Sequence, residues 1–159
     1  MLSISRRRVL LSALAASLSG HALAQQVSGA SYQIDEQTLS AYLDVLLPAD
    51  DLTPAASALN VAGDLVDFAS ESPQFGQFLA VGTQWLNKTG RGPFHTLSLS
   101  DQERVVEWMS TADRDTLPGR FFLLVRLTGV EFYYSKPEVA RAFGLNTAPQ
   151  PAGYPPPWQ

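Results

Sequence analysis

The residue types that carry out enzyme chemistry are scarce in this 159-residue chain. His95 is the single histidine after residue 24, and the chain has no cysteine. Nucleophilic catalysis needs a base held beside the nucleophile. Thr96 follows His95 directly, but adjacency in sequence does not place a hydroxyl at a ring nitrogen, and no Gly-x-Ser-x-Gly elbow occurs. We therefore predict no catalytic residue and expect His95 to be a solvated or capping side chain.

The carboxylates do not form a recognisable metal site either. Asp50-Asp51 lacks the alternating acids and the central glycine of a calcium loop, and Asp113-x-Asp115 is similarly bare. Both pairs are typical of turns and caps. A glycine-rich turn for a dinucleotide is absent, and thioether attachment of haem needs cysteine. We predict neither a metal ion nor a cofactor in this chain.

The periodicity of the apolar residues predicts helices and no convincing strand. Most of the helices have a start signal, which is a capping side chain or a proline in the first turn. The fold class that follows is all-α, an irregular bundle of about five to seven helices over residues 34–145. The predicted starts are Asp35, Thr53-Pro54, Val61, Ser72-Pro73, the capping box beginning at Ser100, Leu117-Pro118 and Ser135-Lys136-Pro137.

The most apolar stretch, Phe121 to Tyr134, contains or borders three charges that share no single face. At about 100° per residue, Arg120 and Glu131 point nearly the same way, whereas Arg126 points elsewhere. A helix that is apolar nearly all round is usually buried. We therefore expect this helix at the centre of the bundle, because its uncharged run is too short to span a membrane.

The first 24 residues have the three parts of an export signal. A mild apolar run over 9–18 follows the cationic residues, and Ala22 and Ala24 place a signal-peptidase cut before Gln25. Adjacent arginines in this position are typical of the twin-arginine route, which exports folded proteins. The alternative is a cytoplasmic protein with a basic amphipathic start. The cationic residues are Arg6, Arg7 and Arg8.

Removal of this signal would leave one domain's worth of acidic chain. The eight lysines and arginines after residue 24 stand against all fifteen acids, which gives a formal charge of −7. An acidic surface argues against nucleic acid and anionic membranes as partners. Residues 25–33 are small and polar, and we predict a flexible leader there.

Aromatic residues near the end of the chain are the candidates for partner binding. Three consecutive rings on a helix fan across about 200°, so at least one of residues 132–134 should reach the surface. The prolines of 146–159 predict an extended tail, and aromatic side chains on such a tail lose little freedom when they dock. The candidates are Phe132, Tyr133, Tyr134, Tyr154 and Trp158.

Four segments together resemble the gluconate 2-dehydrogenase subunit 3 family, the small subunit of membrane-bound flavin dehydrogenases. Their order and spacing both fit, over roughly residues 35–155. The chain departs from the family at Val130-Glu131, where glycine is frequent, and at Pro156-Pro157-Trp158, beyond the usual end. The segments are 46–54 (LLPADDLTP), 61–67 (VAGDLVD), 121–128 (FFLLVRLT) with 133–135 (YYS), and Gly144 with 152–155 (AGYP).

The resemblance implies a complex in the periplasm. A large subunit of the glucose-methanol-choline type would carry FAD and oxidise a sugar, sugar acid or alcohol. A multihaem cytochrome c would accept the electrons and hold the complex at the inner membrane. The small subunit would supply the export signal to the Tat translocon and help the flavoprotein to mature, which explains a folded-export signal on a chain without a cofactor site.

The residues alone are also compatible with two other functions. One is a stand-alone periplasmic helical module that binds a small apolar ligand inside the bundle. The other is a small hydrolase. If the chain is instead the small subunit that the resemblance implies, the substrate pocket lies in the large subunit, and the substrate is not encoded in this sequence.

Overall fold

A computed structural model describes residues 32–145, which form an irregular helical bundle with no strand among them. The predicted all-α class is confirmed. The proposed signal at 1–24, most of the leader and the tail at 146–159 lie outside the described residues. Two 3₁₀ turns, Ser57–Leu59 and Phe94–Thr96, join the longer elements. The α-helices are α1 Glu36–Leu46, α2 Val61–Ser70, α3 Pro73–Leu86, α4 Leu99–Thr111, α5 Leu117–Tyr134 and α6 Pro137–Ala142.

Several helix ends lie where the sequence predicts them. Oδ1 of Asp35 accepts the Thr38 backbone N–H at 3.0 Å and so caps α1. Pro73 and Pro137 occupy the first turns of α3 and α6. At the other end of α6, Gly144 adopts a left-handed φ of 73°, and the N–H of the next residue reaches back to the Ala140 carbonyl at 2.9 Å. This Schellman motif fixes the direction in which the chain leaves α6.

The predicted helix start at Thr53-Pro54 is wrong. Oδ1 of Asp50 accepts the backbone N–H groups of Leu52 and Thr53, at 2.8 and 2.7 Å. The Thr53 hydroxyl also donates to this oxygen, at 3.1 Å, and therefore stabilises a turn instead of capping a helix. These hydrogen bonds, led by that of the Thr53 N–H, lower the pKa of Asp50. Only the short 3₁₀ turn Ser57–Leu59 follows.

The capping box of α4 lies two residues earlier than predicted. Oγ of Ser98, not Ser100, accepts the Asp101 N–H at 3.2 Å, and the Ser98 hydroxyl donates to the Asp101 carboxylate at 2.7 Å. Ser98 and Asp101 therefore take the places predicted for Ser100 and Glu103, and the Asp101 carboxylate accepts the Ser98 hydroxyl instead of its backbone N–H. Both serines have an acid three residues on, and local spacing alone could not separate them.

Helix α5 packs against each of the other five α-helices, as its predicted central position requires. Phe121 and Val125 are fully buried. Gly82 of α3 lies directly against the Phe121 ring, so that a Cβ atom there would overlap the ring. The helix is nevertheless not buried on all sides, because Leu127 is more than half exposed. Tyr134 is more than half exposed as well, as the fan of three consecutive rings predicts.

Candidate partner-docking surface

His95 belongs to a polar cluster that joins the start of α1 to the end of α3. Its Nδ1 lies 3.2 Å from Oγ1 of Thr38. The Thr38 hydroxyl donates to Oδ1 of Asn87 at 2.7 Å, and this oxygen also accepts the Phe94 N–H at 2.9 Å. Thr38 is fully buried, so a substrate could not reach its hydroxyl. His95 is half-buried against the Thr38 side chain, so it is neither the solvated nor the capping side chain that the sequence predicts.

Asp35 completes this cluster, which we call the Asn87 latch: Asp35, Thr38, Asn87 and His95. The Asn87 amide donates to Oδ2 of Asp35 at 2.7 Å. Burial alone would raise the pKa of Asp35, but the hydrogen bonds from the Thr38 N–H and the Asn87 amide outweigh it and hold the pKa below its usual value. Helix α3 ends at Leu86, and Asn87 is the residue that follows its last turn.

The carboxylates serve structure wherever their contacts are described. Oδ2 of Asp64 pairs with Nζ of Lys136 at 2.6 Å, which ties α2 to the start of α6. Asp67, on the same helix, is exposed. Within residues 32–145, no three His, Cys, Asp or Glu side chains are grouped so that they could hold a metal ion.

The three consecutive rings at the end of α5 have different environments. Phe132 is half-buried and packs edge-on against Phe68, with ring centroids 5.7 Å apart. Tyr133 is buried, and its hydroxyl donates to the Pro54 carbonyl at 2.7 Å. Tyr134 alone reaches the surface, at 53% exposure. The other two candidates, Tyr154 and Trp158, lie outside the described residues.

Tyr134 belongs to a larger apolar surface that the sequence reasoning did not assign. Leu123, Leu127, Val130 and Tyr134 recur at helical spacing and fall on one side of α5. The Phe143 ring lies 6.0 Å from that of Tyr134. Leu127 is 59% exposed, Phe143 52% and Leu145 68%. We call this surface the α5–α6 face: Leu123, Leu127, Val130, Tyr134, Phe143 and Leu145.

An apolar cluster of this kind is typical of an interaction site, because single exposed leucines are ordinary but contiguous ones are not. The signal was present in the sequence as the 123–127–130–134 spacing. The same spacing also predicts a core helix, since periodicity marks an apolar face without saying what covers it. None of the helices that the structure describes is both long and apolar enough to cross a bilayer.

The fold and this face define a small all-helical protein with a surface suited to contact with another protein. Residues 33–154 match the family model described as gluconate 2-dehydrogenase subunit 3, which is more than half of the chain. The chain belongs to this family, as its sequence segments indicate. No curated protein and no solved structure matches it.

Proposed function

We propose that this chain is the non-catalytic small subunit of a periplasmic, FAD-dependent dehydrogenase of the glucose-methanol-choline type. It binds the flavoprotein subunit through the α5–α6 face. The observation that carries this proposal is the family match over residues 33–154, in a chain that exposes a contiguous apolar surface. The family description itself names a subunit of a dehydrogenase.

The α5–α6 face has the physical properties of an interface core. Burial of apolar surface contributes about 25 cal/mol per Å² removed from water. Tyr134 and Phe143 are aromatic residues, which are enriched at interfaces. Their rings contact each other, so they are already ordered before binding and lose little freedom in the complex. Tyr154 and Trp158 remain proposed contacts of the same partner.

The export role rests on the sequence before residue 25. Arg6, Arg7 and Arg8 precede the apolar run of a twin-arginine signal. FAD is loaded in the cytoplasm, so the flavoprotein needs a route that accepts folded cargo, and one signal on the small subunit suffices for the pair. FAD would lie in the partner, and haem c in a possible cytochrome subunit that holds the complex at the inner membrane.

The binding-module alternative has no specific observation in its favour. Large side chains, including those of Tyr42, Phe75, Phe94 and Phe121, fill the interior of the bundle and are fully buried. Protein interiors filled in this way pack at nearly crystalline density, which disfavours a ligand site inside the bundle.

Substitution of Leu127 by Asp tests the docking surface. The chain is co-expressed with a glucose-methanol-choline flavoprotein from the same genome, and the flavoprotein that co-purifies is quantified by its FAD absorbance. Leu127→Asp should reduce recovery at least about tenfold, because a charge at an interface core must be desolvated without a partner. Leu52→Asp is the matched control, since Leu52 is 63% exposed but lies in the turn before the first 3₁₀ turn.

Both leucines are exposed, so neither change should alter the free energy of unfolding of the isolated chain by more than about 0.5 kcal/mol. Equal recovery with Leu127→Asp and with the wild type would rule out the α5–α6 face as the contact. If the wild-type chain recovers no flavoprotein at all, the subunit role itself is wrong.

A further inference from the structure

A second surface lies away from the α5–α6 face, where the end of α3 meets α4. The indole rings of Trp85 and Trp108 stack there, with centroids 6.0 Å apart and planes inclined by 18°. They border a cleft of about 780 Å³ that the loop after α3 helps to enclose. We call it the tryptophan cleft, lined chiefly by Trp85, Trp108, Lys88, Arg91, Leu97 and Arg104.

The tryptophan cleft is positively charged on an acidic protein. Arg104 pairs with Asp101, to which Ser98 also donates, and hydrogen bonds from Ser98 and Arg104 lower the pKa of Asp101. Neither Lys88 nor Arg91 has a carboxylate within ion-pair distance in the part of the chain that the structure describes. Two cations thus remain for an external anion, although the formal charge after residue 24 is −7.

The walls of the cleft are too exposed to enclose a small molecule. Trp108 is 56% exposed, and the Arg104 side chain is 74% exposed. Small-ligand sites instead bury most of the ligand surface. Tryptophan and arginine are also the residue types that dominate binding energy at protein interfaces. The shape and composition favour a segment that protrudes from another protein.

We propose that the tryptophan cleft binds an acidic, extended segment of the catalytic subunit as a second contact, separate from the α5–α6 face. This inference rests on the proposed function. Carboxylates of the segment pair with Arg91 and Lys88, and Arg–carboxylate pairs of this kind are often bidentate. An apolar or proline side chain between them lies on the exposed indole of Trp108, as extended segments do in aromatic-lined grooves.

The two contacts should contribute differently to assembly. Charges exposed around a cleft raise the rate of encounter and make it dependent on ionic strength. Apolar contacts have no such dependence, and those of the α5–α6 face together with Trp108 mainly set the rate of dissociation. The cleft therefore fixes the orientation in which the flavoprotein approaches, before the apolar face is buried.

Binding kinetics of the mature chain with the purified flavoprotein test this inference. Arg91→Glu should lower the association rate constant about tenfold at low salt and reduce its dependence on salt concentration. Arg114→Glu, an equal charge reversal in the turn between α4 and α5, is the control and should bind like the wild type. Trp108→Ala should raise the dissociation rate about tenfold and leave the salt dependence intact. Its control is Leu99→Ala, since Leu99 is 62% exposed on the same helix.

Urea unfolding of each variant shows whether its fold is retained, and hydrogen exchange gives a readout that needs no substitution. Amides of residues 88–92 and 104–108 should exchange more slowly in the wild-type complex than in the free chain. Wild-type kinetics in Arg91→Glu and Trp108→Ala, or unchanged exchange, would overturn the cleft contact alone. Absence of binding by the wild-type chain would overturn the proposed function with it.

A membrane surface is the competing occupant, because exposed tryptophan and basic residues also suit lipid headgroups. The concave shape of the cleft argues against it. Flotation of the mature chain with phosphatidylglycerol vesicles separates the two. If the chain floats, and if Arg91→Glu abolishes flotation whereas Arg114→Glu does not, the cleft binds lipid and the protein contact is overturned. If the chain does not float, the result supports the protein contact.

Discussion

At the scale of single residues, the Asn87 latch shows what local sequence can and cannot predict. The capping role of Asp35 follows from its position before an apolar helical pattern, and it is confirmed. Its partnership with Asn87 does not follow, because the two residues are 52 apart and meet only through the packing of α1 on α3. The same holds for Thr38 and His95, which are separated by 57 residues.

Asp35→Asn should flatten the dependence of stability on pH. The pKa of Asp35 is lowered in the folded protein, so its carboxylate stabilises the fold above its ordinary pKa of 3.8, and this contribution is lost as the pH falls from that value through the lowered pKa. The asparagine still caps α1, but its amide faces the Asn87 amide without a proton acceptor. We expect a loss of about 1–3 kcal/mol near neutral pH.

Urea unfolding between about pH 7 and about pH 3 measures this effect, over the range in which carboxylates titrate. The wild-type and Asp35→Asn curves should converge at the acidic end. Asp67→Asn, at an exposed position of α2, is the control and should follow the wild type. Parallel curves for Asp35→Asn and the wild type would show that the carboxylate of Asp35 is not the stabilising form.

At the scale of elements, the sequence predicts which segments are helical but not which neighbours cover them. Helix α5 illustrates this limit, because its apolar residues include both the buried Phe121 and the exposed Leu127. Helix starts are similarly ambiguous where several caps compete. Thr53 and Ser100 are both residue types that cap helices. In the structure, however, the Thr53 N–H donates to Asp50 in a turn, and the Asp101 N–H at the start of α4 donates to Ser98.

Gly82→Ala tests the close contact of α3 with α5. Alanine in a helix interior normally gains about 0.5–1 kcal/mol over glycine. At Gly82 the new methyl group would overlap the Phe121 ring, and overpacking of a full core costs about 1–3 kcal/mol. We therefore expect a net loss of stability in urea unfolding. Gly92→Ala is the control, because the nearest atom there, Oγ1 of Thr96, is 3.1 Å away in an exposed loop. Equal stability of Gly82→Ala and the wild type would mean that α3 and α5 shift apart freely.

At the scale of the whole molecule, the fold class and the family could be predicted from sequence and are confirmed. The α5–α6 face and the tryptophan cleft could not be predicted from sequence. Their residues come from separate helices and turns, and an exposed Leu127 or Trp108 has the same local pattern as a buried one. Besides the two surfaces, the proposed assembly depends on the export signal of this chain, which would direct both subunits to the periplasm.

Replacement of Arg6, Arg7 and Arg8 by lysine should strand this chain and the dehydrogenase activity together in the cytoplasm. The twin-arginine route requires arginine itself, so a change that keeps the positive charge still removes the signal. Fractionation followed by activity and antibody assays measures the outcome. Arg114→Lys serves as the control for a charge-conserving change in the mature chain. Periplasmic activity in the triple variant would exclude the escort role, whatever the fate of the small subunit.

The stacking of Trp85 on Trp108 has an optical consequence. Two indoles whose centroids are 6.0 Å apart are close enough for their electronic transitions to couple, so the pair should give a circular dichroism signal that differs from the sum of the two rings. Trp158 is the only other tryptophan of the chain, and Trp158→Phe leaves the pair as sole chromophore of its type. Insertion of any group between or upon the rings would then be visible without a label, which makes the Trp158→Phe chain a reporter of its own assembly.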